Sequence, residues 1–164
     1  MQHTLLIMRH GKARTDNYAT QDCDRRLSIK GELEVAEMAA EIRTFFEPQI
    51  ILCSSALRTK NTAEIVCKQN GWNPKIIVLL DELYLANPSE ILSILADLNN
   101  TTTCAMLVGH NPGLTELIQK LPHVNIDNLP TAGYAFVRLA VNDWSELSKS
   151  LKNSTLESIN YPKK

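Results

Sequence analysis

Two histidines and two arginines, each delivered by an apolar run, are the residues of this sequence best suited to chemistry. Leu5-Leu6-Ile7-Met8 ends in Arg9-His10-Gly11, and Ala105-Met106-Leu107-Val108 ends in Gly109-His110-Asn111-Pro112-Gly113. Between them, Ile50-Ile51-Leu52-Cys53 runs through Ser54-Ser55-Ala56-Leu57 into Arg58-Thr59. Arginine carries a planar, always-charged fork of donors that matches phosphoryl oxygens, so two such forks suit phosphate or another tetrahedral oxyanion. In phosphoryl transfer, charge spreads over the equatorial oxygens while the attacking and leaving atoms lie in line. Fixed cations then stabilise the transition state more than the ground state. A neutral imidazole can attack, giving a phosphohistidine intermediate that water hydrolyses, while the second imidazole donates to the equatorial oxygens. Neighbouring guanidinium groups disfavour a further positive charge and so help keep the attacking ring unprotonated.

The elements that must position these groups follow from the apolar pattern. Short continuous apolar runs predict strands buried on both faces, as in a parallel sheet, and open α/β sheets place their ligand crevice at the carboxyl ends of strands. Gly11 predicts a sharp turn through backbone angles closed to other residues. Asn111 and Pro112 predict an N-cap and a first helical residue, which sets free amides beside His110. Ser28 predicts the cap of a helix to about Phe46, with Val35, Met38, Ile42 and Phe45 at helical spacing, and a second helix runs from about Ala56 to Asn70 until Gly71 stops it. Ile76–Leu80 predicts a strand ending at Asp81-Glu82, and Asn87-Pro88-Ser89-Glu90 predicts a capped helix. Beyond Thr131, alternating residues predict a strand near an edge with one wetter face, and Thr155 to Asn160 a last short one. The polar passage from Lys12 to Arg26, with Asp16-Asn17, Asp22 and Asp24, reads as a long loop at a strand end, where function is often found. This alternation predicts one domain over residues 1–164, a three-layer α/β/α sandwich around a mainly parallel sheet with an antiparallel edge.

Bulk properties narrow the partners. Across 164 residues, 44% hydrophobic and 21% charged, the formal net charge is −1, which offers no general attraction to nucleic acid or an anionic membrane. Any anion site must be local. Cys23, Cys53, Cys67 and Cys104 form no C-x-x-C pair, and buried free thiols in a reducing compartment are expected. Four apolar residues before Arg9 are too few for a signal-peptide core or a membrane span, so a cytoplasmic protein is expected.

Leu6-Ile7-Met8-Arg9-His10-Gly11-Lys12-Ala13, Ser54-Ser55-Ala56-Leu57-Arg58 with Thr62, and Val108-Gly109-His110-Asn111-Pro112 resemble the defining segments of the histidine phosphatase superfamily. Arg25-Arg26-Leu27-Ser28 followed by Gly31 resembles a segment of its short phosphohistidine phosphatase branch, and the resemblance covers about residues 4 to 140. Ala56 and Arg26 stand where the family often has proline. The resemblance implies a phosphoglycerate mutase-like fold, with His10 as nucleophile, Arg9 and Arg58 as phosphate clamp, and His110 completing the pocket. Glu82, in Leu80-Asp81-Glu82, matches the position of the proton donor in the mutase branch. Arg25 is expected at the rim, orienting substrate, and Gly11 beside the bound group. Mutase-like relatives insert a covering segment after the acidic residue. Here Glu82 is followed almost at once by the cap at Asn87, so an open pocket is expected.

An open pocket admits a side chain of another protein, which makes a protein-borne phosphohistidine, on a phosphotransfer domain or carrier protein, the expected substrate. No cofactor is expected. The alternatives are a small-molecule phosphomonoesterase of the same superfamily and a non-catalytic phosphate-binding module. Cysteine-based catalysis is disfavoured because Cys53 and Arg58 are separated by four residues where the cysteine phosphatase loop needs five, and Cys53 ends an apolar run. Metal hydrolysis is disfavoured because no H-x-H or H-E-x-x-H spacing occurs and two arginines would repel a divalent ion. His3 and His123 are expected at the surface, and Thr131 in a turn.

Overall fold

The computed structural model describes residues 2–15 and 21–163, so the Asp16-Asn17 part of the predicted loop lies outside it. Six strands form one sheet in the order β3-β2-β4-β1-β5-β6. They are β1 His3–Arg9, β2 Ile50–Ser54, β3 Ile77–Leu80, β4 Cys104–Gly109, β5 Tyr134–Leu139 and β6 Thr155–Asn160. Neighbours from β3 to β1 pair in parallel, while β5 runs antiparallel to both β1 and β6. The architecture is therefore α/β with a mostly parallel sheet and an antiparallel edge, as the alternation predicts.

Both faces of the sheet are covered, which is why the central strands read as unbroken apolar runs. Leu5 and Ile7 of β1 pack with Ala105 and Leu107 of β4 under α3 (Pro88–Ala96), α4 (Gly113–Ile118) and α5 (Leu147–Ser150). Leu6 and Met8 pack with Met106 and Val108 under α1 (Ile29–Ile42) and α2 (Leu57–Asn70).

The caps bear out most predicted boundaries. Ser28 accepts from the Gly31 amide at the start of α1, Gly71 closes α2 in the left-handed region at φ 69°, and Asn87 and Glu90 form a reciprocal capping box on α3. Three expectations need correction. The first helix ends at Ile42, so Phe45 lies beyond it and is 40% exposed, while Phe46 takes the core position. Helix α4 begins at Gly113, with Pro112 rather than Asn111 at its cap position. Asn111 still accepts from the Thr115 amide at 3.1 Å and hydroxyl at 2.8 Å, one residue out of the predicted register. Finally, His3 is buried against the edge of Trp144, with ring centroids 5.0 Å apart, because its strand position faces the core; His123 is exposed as expected. No helix among the described residues is long and apolar enough to cross a membrane.

Candidate active site

Sheet register assembles the site. Arg9 pairs with Gly109, so the residues that follow, His10 and His110, emerge side by side with ring centroids 5.3 Å apart. Cys53 pairs with Val108, which brings Ser54, the last residue of β2, to the same edge. The chain then enters α2, and Arg58 in its first turn points back over His10. Hydroxyls fix this junction: Thr59 Oγ1 donates to the carbonyls of Ser54 and Ala56, and Thr62 Oγ1 accepts from the Gly11 amide at 3.0 Å.

Each ring has an assignable role. His10 Nδ1 lies 2.7 Å from the Gly11 carbonyl, an acceptor only, so Nδ1 carries the proton and Nε2 keeps its lone pair. Arg58 Nε lies 3.4 Å from that Nε2. Burial pushes the His10 pKa down to about 4, reinforced by Arg58, Arg9 and Arg25 and opposed by the hydrogen bond to Gly11. His110 Nε2 lies 2.8 Å from Ser54 Oγ, which also accepts from the Ala56 amide at 3.3 Å. The serine hydrogen is thus available to His110 Nε2, leaving Nδ1 as an N–H donor. Burial, with His10 and Arg58 nearby, holds the His110 pKa down to about 3.

Among the described residues, His110 Nδ1 and Arg9 Nε are buried without a protein partner. A buried unpaired donor is costly, and an anion beside His10 satisfies such donors directly. Arg9 Nη1 donates to the Leu129 carbonyl at 3.0 Å, which aims the guanidinium. Burial and then Arg58 lower its pKa.

The remaining predicted residues divide. Gly11 does not sit in the left-handed region; it is required by space, because a Cβ there would fall 2.6 Å from Val35 Cγ2. Its amide and carbonyl are engaged by Thr62 and His10. Arg25 lies half-buried at the rim, donating to the Arg14 carbonyl at 3.0 Å and to Asp22 Oδ1 at 3.3 Å. Glu82 is exposed on the 3-10 turn Asp81–Leu83, and among the described residues no hydrogen bond or ion pair ties it to the two histidines or two arginines. Thr131 is half-buried beside the Ala132 amide, which donates to the His10 carbonyl at 2.9 Å. Burial pushes the Cys53 thiol up to about 12, so no thiolate nucleophile is available there. No three His, Cys, Asp or Glu side chains among the described residues are grouped to hold a metal ion.

Three residues of the site lie outside the sequence prediction. Ser54 was legible only as part of a motif. Asp22, on the 3-10 turn Asp22–Asp24, pairs with Arg58 at 2.9 Å, and Tyr84 hydrogen-bonds the same carboxylate while its ring stands edge-on to His110 at 5.4 Å. Their only signal was position, Asp22 in the long loop and Tyr84 just past the strand-end acids.

A sheet edge that gathers two imidazoles and two guanidiniums around one small volume is the arrangement of a histidine phosphatase. The chain belongs to the histidine phosphatase superfamily (branch 1), whose family model matches residues 5–87. Within it the chain falls in the SixA-like branch. It superimposes on the protein histidine phosphatase SixA in complex with tungstate with a TM-score of 0.80 and 26% identity, over 96% of each chain. A SixA-type protein of Nakamurella multipartitia matches in fold with a TM-score of 0.85 and 21% identity, over 99% of this chain and 97% of that one. An uncharacterised chloroplastic protein of Arabidopsis thaliana is 28% identical over 151 residues, 87% of this chain and 69% of its own length.

Proposed function

We propose that this phosphatase hydrolyses phosphohistidine carried by another protein, through a covalent adduct on His10 Nε2. The observation that carries the reading is the pairing of a neutral, lone-pair-bearing Nε2 with the Arg58 Nε–H 3.4 Å away. In the first step Nε2 attacks phosphorus, forming a new N–P bond as the substrate N–P bond breaks and its imidazole leaves. Arg9, Arg58 and His110 Nδ1–H take up the charge on the equatorial oxygens. In the second step water attacks the same phosphorus, the Nε2–P bond breaks and returns its electron pair to His10, one water proton passes to solvent or phosphate, and inorganic phosphate departs. One N–P bond is exchanged for another, so less help from a strong general acid is needed than for an alkyl ester. Neither step as written calls for a metal ion or cofactor.

Binding of tungstate, a tetrahedral oxyanion, by the related SixA supports an oxyanion in this pocket. The short connection from Glu82 to the α3 cap at Asn87 leaves no covering segment there, which supports a macromolecular substrate. The test compares rates on a phosphohistidine-bearing phosphotransfer protein, a phosphohistidine peptide and sugar phosphates, with a chelator control. The protein substrate is expected to lead by at least about tenfold in kcat/KM. A wide margin for sugar phosphates would overturn the substrate assignment. In parallel, His10→Ala should abolish turnover of an aryl phosphate and eliminate the alkali-stable, acid-labile adduct in a quenched reaction. An adduct on sulfur would overturn the mechanism.

A further inference from the structure

Arg58 is gripped by Asp22 along one edge and turned toward His10 along another. Its Nη1 donates to the Asp22 carbonyl at 2.8 Å and its Nη2 to Asp22 Oδ2 at 2.9 Å, so the terminal edge of the fork is taken. The side edge, bearing Nε–H, faces His10 Nε2. A guanidinium has five in-plane donors, and end-on pairing with Asp22 leaves Nε–H and the second Nη2 hydrogen for an oxyanion beside His10. Asp22 is itself held from two further directions, by the Tyr84 hydroxyl on Oδ2 and by Arg25 Nη1 on Oδ1. The Tyr84 ring lies 6.0 Å from the Arg58 carbon Cζ and packs edge-on to His110. A chain of polar contacts therefore runs from Tyr84 through Asp22 and Arg58 to the His10 ring.

We propose that Asp22 is a positioning residue: it fixes the Arg58 guanidinium so that the Nε edge meets the phosphoryl group on His10, and the Tyr84 hydroxyl locks the carboxylate in place. This rests on the reading of the pocket as the phosphatase site. The hydrogen bond from Tyr84, with Arg58, holds the Asp22 pKa down to about 2, so the group is an anion at working pH and not a proton donor. It also sits on the edge of the fork turned away from His10, so an oxyanion at His10 need not displace it. Misaiming a clamp costs more in the transition state than in the bound ground state, because only the former needs the equatorial oxygens matched. Loss of Asp22 should accordingly fall on kcat.

Full-length Asp22→Ala, Asp22→Asn, Tyr84→Phe and the Asp22→Ala/Tyr84→Phe double variant are assayed with para-nitrophenyl phosphate, alongside thermal unfolding of each. Asp22→Ala should lower kcat about 30- to 100-fold while KM moves by less than about threefold. Asp22→Asn, which keeps an acceptor oxygen, should recover part of that loss. Tyr84→Phe should cost about 3- to 10-fold alone and nothing more on top of Asp22→Ala, since its hydroxyl acts through the carboxylate. A kcat for Asp22→Ala within twofold of wild type would overturn the proposal. So would multiplicative losses in the double variant, losses that track only the folded fraction, or a raised kcat with tighter tungstate inhibition, which would mark Asp22 as a competing anion. His10→Ala separates the two layers. If it stays active, the reading of the site fails; if it is inactive while Asp22→Ala resembles wild type, only the role of Asp22 fails.

Discussion

The floor of the pocket and its rim are built by different means. On the floor, His10, Arg58 and His110 are 7%, 5% and 3% exposed, and each is set by sheet register or by the first turn of α2. Their neighbours are backbone groups and buried hydroxyls: the Gly11 carbonyl, Ser54 and Thr62. On the rim, Asp22 and Glu82 stand exposed and Arg25 half-buried, on or beside three-residue 3-10 turns, and the order of Asp22 and Arg25 comes from side-chain contacts. Moving the floor breaks strand pairing or the first turn of α2, whereas the rim residues sit on short turns and are held by side-chain contacts alone, most numerous at Asp22. Chemistry that needs atoms placed to a fraction of an ångström belongs on the floor, and the rim tunes it.

Short of removing the nucleophile itself, the largest effect should come from the floor residue that the rim also grips. Arg58→Ala removes the fork between His10 and Asp22 and should lower kcat/KM on an aryl phosphate by about a thousandfold. Arg58→Lys sharpens the comparison: it keeps a charge but loses the planar fork, and about a hundredfold loss is expected. Activity within threefold of wild type for the lysine variant would mean that a point charge suffices and that edge-by-edge placement is irrelevant.

Proton binding gives an intermediate test. The His10 pKa lies at about 4 and that of His110 at about 3, against about 6.5 for an unperturbed imidazole in the unfolded chain. As pH falls below about 6.5, the unfolded state takes up protons first, so stability drops; the loss levels off only below the two folded values. Nuclear magnetic resonance titration should find both rings unprotonated from pH 8 down to about 5.5, with unfolding midpoints declining over the same acid range. A ring midpoint near 6.5 for either histidine would show that the floor admits water freely, and the contrast with the rim would collapse.

The same division explains what could be read from the sequence. His10, His110 and Arg58 were legible because each follows an apolar run, and a buried strand has few places to put its next residue. Asp22 was visible only as one acid in a polar passage; its meaning depends on a turn that brings it back to Arg58, thirty-six positions along the chain. Tyr84 was invisible for the same reason, since nothing local distinguishes it from its neighbours. Gly11 is constrained for a different reason from the one its residue type suggests. The sequence suggested unusual backbone angles, whereas the true constraint is the methyl group of Val35 on α1, a tertiary contact. Phe45 leaves the predicted apolar stripe and Phe46 is buried in its stead because α1 stops after Ile42, a boundary set by local turns rather than by apolar spacing.

Glu82 carries the smallest expected effect and the closest test of the rim. The family resemblance in the sequence implies a proton donor at this position, yet Glu82 is exposed on its turn and, among the described residues, joined to none of the floor residues. Its neighbour Asp81 is the acid that accepts a hydrogen bond, from Ser55 Oγ, so the turn is tied down one residue away. A carboxyl group left in solvent can still reach a leaving group that projects out of an open pocket. Its value then depends on how badly that leaving group needs a proton. An alkyl oxygen needs one, and Glu82→Gln should slow an alkyl phosphate by about tenfold. A departing imidazole needs far less, so turnover of phosphohistidine should stay within about twofold. Equal and large losses on both substrates would place Glu82 in the chemistry shared by every substrate. The boundary between a rigid reacting floor and a tuning rim would then have to be redrawn to include it.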